Sequence, residues 1–165
     1  MITALFWALA LTAAVVITGC NQEGPRLGAG DPAPQFRLAG RTGEPLSFPR
    51  DLRDEVVVLL FWADWCTYCR EELPEVCDRL VARTDQGLEV LAVNAGQTPE
   101  VVEAFLRDRP VSCRVLLDTD LRVSDRYGAR MLPVAFVIDR RGVIRQRIMG
   151  RTSPAALSQI VEGLL

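Results

Sequence analysis

Two cysteines separated by two residues, Cys66-Thr67-Tyr68-Cys69, have a spacing typical of thiol-disulfide chemistry. They stand where a continuous apolar run, Val56 to Trp62, gives way to a helical pattern. A cysteine at the N-terminal end of a helix meets unpaired backbone N–H groups and the positive end of the helix dipole, which favour its thiolate. Because the thiolate is the nucleophile in disulfide exchange, we expect the chemistry at this junction.

Composition narrows the classes of function. The 165 residues allow one domain with a single buried core, and the net charge of −2 argues against nucleic acid as a partner. The chain contains no histidine. Cys–His catalysis, Ser–His catalysis and every histidine-ligated metal site are therefore excluded.

The N-terminus has the pattern of an export signal. Residues 1–19 carry no charged side chain, and Ala4 to Ile17 is apolar except for Thr12. Ile17-Thr18-Gly19-Cys20 resembles the lipobox of bacterial lipoproteins, in which cleavage precedes a cysteine that receives lipid. We predict a signal peptide over residues 1–19, a lipidated Cys20 and a flexible tether over residues 20–30. Because residues 1–3 lack a basic side chain, an uncleaved membrane anchor is the alternative.

Two further cysteines, Cys77 and Cys113, can form a second disulfide in an oxidising compartment or stay as two buried thiols. Cys77 cannot exchange directly with Cys66, because eleven helical residues rise roughly 16 Å whereas a disulfide needs Cα atoms within ~7 Å. The pair is therefore a candidate structural disulfide that lies outside the reactive site.

The elements around the cysteine motif alternate between strands and helices. Val56 to Trp62 is apolar throughout and β-branched at its start, which is typical of a central strand covered on both faces. The helix that follows contains Pro74, which should kink it. Further strands are predicted over residues 88–93, 115–117, 134–138 and 143–148, and helices near Thr98, Leu121 and Ser153. This order predicts an α/β fold with a central mixed sheet flanked by helices on both faces.

The motif and its surroundings resemble the thioredoxin superfamily. The similarity is carried by Phe61-Trp62-Ala63-Asp64-Trp65-Cys66-Thr67-Tyr68-Cys69-Arg70, by Pro74 and by Leu132-Pro133 before a strand. Gly30-Asp31-Pro32-Ala33-Pro34 and an extra segment before the first core strand further resemble the TlpA/ResA-like membrane-tethered thiol-disulfide oxidoreductases. The resemblance covers residues 30–165 and implies a thioredoxin-like domain over residues 31–165.

The resemblance implies a role for each matching residue. Cys66 matches the nucleophile, Cys69 matches the cysteine that resolves the mixed disulfide, and Pro133 matches a cis-proline beside them. Leu132 would offer its backbone groups to an extended substrate, and Trp65, which flanks the site, is assigned to substrate binding. The plainer alternatives are a trans proline at the start of a strand and a tryptophan that only shields the disulfide.

Glu72 matches an active-site glutamate of the ResA-like proteins. It lies three residues after Cys69 on one helix, so its carboxylate can disfavour the nearby thiolate and relay a proton. The alternative is that Glu72, like Glu71 and Glu75, only complements the helix N-terminus. Leu60 stands where thioredoxin has a buried aspartate, which leaves proton transfer to Glu72 or to water.

These features predict an exported thiol-disulfide oxidoreductase, anchored to a membrane and facing the periplasm. The resemblance favours a reductase of protein disulfides, of the cytochrome c biogenesis type, that receives electrons from a membrane donor. It implies no cofactor beyond the Cys66/Cys69 pair and no metal. Val134-Ala135 differs from the Thr-Thr of many relatives, which leaves the substrate open. Oxidase or isomerase activity is also open, because Thr67-Tyr68 does not reveal the reduction potential.

Three other classes fit less well. A redox-inactive binding module on the same fold would not need the intact cysteine pair together with Leu132-Pro133. A zinc site with four thiolates normally uses two C-x-x-C pairs, which Cys77 and Cys113 do not supply. A peroxidase centred on one cysteine would leave Cys69 without a role.

Overall fold

The computed structural model of the chain describes residues 26–165. The signal peptide predicted over residues 1–19, the lipid on Cys20 and most of the tether lie outside the described residues and stay predictions. Within the described range, no helix is long and apolar enough to cross a membrane.

The last residues of the predicted tether are bound to the domain. The Gly30 N–H donates to the Ile144 carbonyl at 2.8 Å, and the Arg147 side chain donates to the Leu27 carbonyl at 3.2 Å. The ordered domain therefore includes residues 27–30, which the sequence places in the tether.

Seven strands form one mixed sheet. In chain order they are β1 (Phe36–Gly40), β2 (Pro45–Phe48), β3 (Val56–Trp62), β4 (Leu88–Ala95), β5 (Arg114–Asp118), β6 (Val134–Ile138) and β7 (Ile144–Met149). Their spatial order is β2-β1-β5-β4-β3-β6-β7. The strand before the cysteine motif, β3, pairs in parallel with β4 and antiparallel with β6. The mixed sheet predicted from the sequence is confirmed.

Helices cover both faces of the sheet, as predicted. They are α1 (Thr67–Val81), α2 (Pro99–Asp108), α3 (Arg122–Arg126) and α4 (Pro154–Glu162). Every residue of β3 is buried, and its side chains alternate between two hydrophobic clusters because a strand has a period of two. Helices α1, α2 and α4 contribute to the cluster that contains Leu60, whereas Val123 of α3 belongs to the cluster that contains Phe61.

Helix α1 runs through Pro74 as one continuous helix. Because proline has no backbone N–H, the carbonyl of Arg70, one turn earlier, lacks its usual donor within the helix. The side chain of Arg109, at the end of α2, donates a hydrogen bond to this carbonyl at 3.4 Å. A neighbouring helix thus supplies the donor that the proline removes.

Candidate active site

The cysteine pair sits at the first turn of α1, directly after the sheet. Cys66 is the N-cap residue, and its sulfur accepts a hydrogen bond from the Cys69 N–H at 3.2 Å. The two residues form a disulfide with their Cα atoms 5.2 Å apart. Cys66 is 6% exposed and Cys69 is 3% exposed, so Cys66 is the more accessible of the two. An N–H that points at the Cys66 sulfur is the arrangement that stabilises a thiolate there.

Three aromatic residues surround the pair, in two different environments. Trp65 is 64% exposed and Tyr68 is 49% exposed. Trp62 is buried and packs on Phe105, with ring centroids 4.7 Å apart. Trp65 and Tyr68 are therefore able to meet a partner molecule, whereas Trp62 serves packing.

A polar cluster fixes the loop that leads into α1. The Gln97 side-chain oxygen accepts from the Asp64 N–H at 2.8 Å and from the Asn94 amide at 2.9 Å. The Gln97 amide donates to the Asp64 carboxylate. Asn94 is fully buried near the end of β4. The sequence analysis missed this cluster, although a polar asparagine inside the apolar run of β4 is a signal for it.

Leu132 and Pro133 lie immediately before β6, and β6 pairs with β3. The peptide bond between them is cis. The Pro133 carbonyl accepts a hydrogen bond from the Gly150 N–H at 2.9 Å. Pro133 also shares a small cleft with Cys69, so the structure brings these two predicted residues together.

This cleft has a volume of about 40 Å³ and is almost entirely apolar. Its lining includes Leu60, Cys69, Glu72 and Pro133, and Glu72 is the one carboxylate among the described lining residues. A volume of this size accommodates an ordered water molecule beside a polar group. Glu72 and Cys69 therefore line the same small cleft.

Glu72 is 16% exposed at its side chain, and both of its carboxylate oxygens have partners. One oxygen accepts from Arg151 Nε at 2.6 Å, and the other accepts from the Thr152 N–H at 3.4 Å. The Arg151 guanidinium also lies over the Tyr68 ring, 4.9 Å from its centroid. The hydrogen bond to Glu72 raises the pKa of Arg151 above its usual value. Arg151 was not identified from the sequence.

The second cysteine pair is also joined. Cys77 and Cys113 form a disulfide with their Cα atoms 5.1 Å apart, and both residues are buried. The bridge connects α1 to the segment just before β5. Of the two alternatives left open by the sequence, the structure contains the bridge. Within residues 26–165, no cluster of histidine, cysteine or acidic side chains is arranged to hold a metal ion.

Together these features define a class of protein. A strand leading to a helix headed by a C-x-x-C disulfide, beside a second strand that follows a cis-proline, is the arrangement of the thioredoxin fold. The chain belongs to the AhpC/TSA family, whose sequence profile matches residues 29–147.

Individual relatives agree with this assignment. The thiol-disulfide oxidoreductase ResA of Bacillus subtilis is 34% identical over 121 residues, which are 73% of this chain and 67% of the relative. ResA of Geobacillus thermodenitrificans is 30% identical over 142 residues, which are 86% of this chain and 81% of the relative.

A solved structure supports the same family assignment. The crystal structure of a Chlorobium tepidum protein, proposed to be the thiol:disulfide interchange protein DsbE, is 31% identical and superposes with a TM-score of 0.77. It covers 84% of this chain and 98% of the Chlorobium protein. With the intact cysteine pair, these similarities show a thiol-disulfide redox function, and the predicted class of oxidoreductase is confirmed.

Proposed function

We propose that the protein is a reductase of protein disulfides that works outside the cytoplasm while tethered to a membrane. Its electrons would come from a membrane donor, and its task would be of the cytochrome c biogenesis type. The similarity to ResA and the Cys66/Cys69 disulfide at the N-terminus of α1 support this proposal. The cysteine pair is the observation that carries it, because exchange needs no other cofactor.

The position of Cys66 at the N-cap of α1 supports an order of attack that begins with this residue. The Cys66 thiolate attacks one sulfur of a substrate disulfide, forms a mixed disulfide, and releases the other substrate sulfur as a thiolate. Cys69 then attacks the Cys66 sulfur, which releases the second substrate thiolate and leaves the Cys66–Cys69 disulfide. Two electrons pass to the substrate in each cycle, and the donor restores both thiols. The lower exposure of Cys69 supports its assignment as the resolving cysteine.

Glu72 would accept the proton that Cys69 loses before it attacks. The apolar cleft that they share supports this role, since a carboxylate there is the available base where Leu60 replaces an acidic side chain. The cleft is large enough to hold a water molecule, which could carry the proton between the two groups.

Substrate would bind along the exposed edge of the site. We assign Leu132 and Pro133 to contact with an extended segment of the substrate, and exposed Trp65 to contact with its side chains. The partners are therefore proteins that carry a disulfide, together with the membrane donor.

The N-terminal segment would hold the domain at the membrane. Lipid on Cys20 after cleavage of residues 1–19 is the proposed anchor, and the remaining tether is too short to let the domain travel far from the membrane. This location in the periplasm is where protein disulfides persist.

A reductase assay tests the proposal. Residues 21–165, which omit Cys20, should accelerate insulin reduction by dithiothreitol, whereas Cys66→Ala/Cys69→Ala should not. A folded protein that fails to exceed the dithiothreitol-only rate would contradict the reductase. The reduction potential of the Cys66/Cys69 couple, measured in glutathione buffers, then decides the direction of electron flow between the protein and its substrate. A strongly reducing value supports the reductase, and a value close to that of strong oxidants assigns an oxidase instead.

A further inference from the structure

Arg151 connects the two sides of the disulfide site. It follows Gly150 directly after β7, and the Gly150 N–H donates a hydrogen bond to the Pro133 carbonyl at 2.9 Å. From this position Arg151 reaches the start of α1, where it binds the Glu72 carboxylate at 2.6 Å and lies over the Tyr68 ring. Its guanidinium is also 3.8 Å from the Glu71 carboxylate. The name Arg151 clamp is used below for Arg151, Tyr68, Glu71 and Glu72.

The clamp is the charged part of an otherwise apolar site. The side chains that line the cleft from β3 and β6 are all apolar. The ionisable groups near Glu72 include Tyr68, Cys69, Glu71 and Glu75 on α1 and Arg151 after β7. Arg151 is the only cation that pairs with Glu72 in the described part of the chain. Arg151 is therefore the cation that holds the Glu72 carboxylate in place.

The geometry assigns the clamp to positioning and not to overall stability. The Arg151 side chain is 58% exposed, and ion pairs with such exposure contribute little to folding. Its bond to Glu72 is nevertheless short and charge-assisted, and the second Glu72 oxygen is held by the Thr152 N–H. The carboxylate is thus fixed in one orientation at the cleft that Cys69 also lines.

We propose that Arg151 is a positioning residue for the second step of disulfide exchange, in which it holds the Glu72 carboxylate in the orientation that accepts the Cys69 proton. The inference rests on the proposed role of Glu72 in the exchange. In that step the Cys69 S–H bond breaks and its proton passes to Glu72. The Cys69 sulfur then bonds to the Cys66 sulfur, the bond between Cys66 and the substrate sulfur breaks, and the substrate leaves as a thiolate.

The two steps of exchange can be measured separately. Reduced protein is mixed with the chromogenic disulfide dithiobis-nitrobenzoate, which releases one coloured thiolate when Cys66 attacks and a second when Cys69 resolves the mixed disulfide. The first release depends on reagent concentration, and the second does not. Each variant is made in the full chain with Cys20→Ser, in detergent. Arg151→Gln is compared with Arg151→Lys and with Arg122→Gln, which makes the same charge change on the exposed side of α3.

Arg151→Gln should slow the second release about tenfold, a part of the ~100-fold or larger contribution typical of a general base, with a smaller effect on the first release. The pH dependence of the second release should also change, because the variant removes the cation that pairs with the Glu72 carboxylate. Arg151→Lys should recover part of the rate, since it keeps the charge but loses the planar fork. Arg122→Gln should match the unmodified protein.

A double variant tests whether Arg151 acts on the second release through Glu72. If the inference is correct, Arg151→Gln should add little once Glu72→Gln is present, because the base is already absent. An equal slowing in both backgrounds, or a second release unchanged by Arg151→Gln, would overturn it.

The proposed function and the inference can fail separately. If the unmodified protein shows no second release at all, the exchange mechanism itself is wrong. The clamp is then judged by ultraviolet titration of the reduced cysteines, which needs no substrate: Arg151→Gln should shift thiolate formation to higher pH, and superposable curves for Arg151→Gln and Arg122→Gln would refute the clamp.

Discussion

The bridge between Cys77 and Cys113 should contribute a large share of the stability of the domain. The cysteines are 36 residues apart in sequence. Cross-linking a loop of that size lowers the conformational entropy of the unfolded chain, which stabilises the folded state by about 4 kcal/mol. The variant Cys77→Ala/Cys113→Ala should lose roughly this amount, with up to about 1 kcal/mol more because both side chains are buried. The total free energy of unfolding of a typical domain is about 5–15 kcal/mol, so this loss would be a large part of it.

Urea unfolding of oxidised residues 21–165 measures this loss. The matched control is Cys66→Ala/Cys69→Ala, whose cysteines are only 3 residues apart and whose bridge should contribute about 2 kcal/mol. The double variant at Cys77 and Cys113 should therefore lose about twice as much free energy of unfolding as the control. Its insulin reductase activity at a temperature where it is folded should be unchanged, since this bridge lies far along α1 from Cys66.

Two results would refute this reasoning. One is a loss below about 1 kcal/mol, which would mean that the bridge does not constrain the unfolded chain as the loop-entropy argument requires. The other is the reaction of the denatured, unreduced protein with two equivalents of a thiol reagent, which would show that Cys77 and Cys113 are free.

Two further predictions concern the site and the sheet. Cys69→Ser should accumulate mixed disulfides through Cys66 with proteins of the native cell envelope, seen as reductant-sensitive bands, and their absence, as in a Cys66→Ser control, would count against the order of attack. Asp139 lies in the turn between β6 and β7. Burial alone would raise the pKa of its carboxyl, but hydrogen bonds from the Val143 and Arg141 N–H groups and from the Arg145 side chain lower this pKa below the usual 3.8. The stability that Asp139 contributes should therefore be complete above about pH 4 and decline at lower pH. Urea unfolding should show that Asp139→Asn is less stable than the unmodified protein at pH 7, with a smaller difference at pH 3. The control Asp78→Asn, on an exposed face of α1, should show little change at either pH. A difference for Asp139→Asn that is the same at both pH values would contradict a lowered pKa for Asp139.

The parts of the site that the sequence predicts are those set by local pattern. The continuous apolar run of β3 marks a strand buried on both faces, and the C-x-x-C motif after it marks the start of a helix. Ser153 caps α4 by accepting from the Ala156 N–H at 3.1 Å, as a serine before a proline-led helix predicts. Each of these signals lies within a few residues of the feature that it predicts.

The contacts that the sequence does not predict join distant segments. Gln97 meets Asp64 across 33 residues, and Arg151 meets Glu72 across 79 residues. These pairings exist because β3 lies between β4 and β6 and because β7 follows β6, which sets the loops at one end of the sheet side by side. All the cations of this chain are arginines, so nothing in the local sequence distinguishes Arg151 from the others.

The proline in α1 divides that helix into two parts with different attachments. The ladder of backbone hydrogen bonds has a gap between Arg70 and Pro74, and Arg109 covers it from α2. Beyond the gap, the bridge at Cys77 ties the helix to the segment before β5. We therefore expect a small rearrangement of the Cys66–Cys69 turn, when it gains or loses electrons, to stop at Pro74. The first turn of α1 can then change its conformation while the rest of the helix keeps its position.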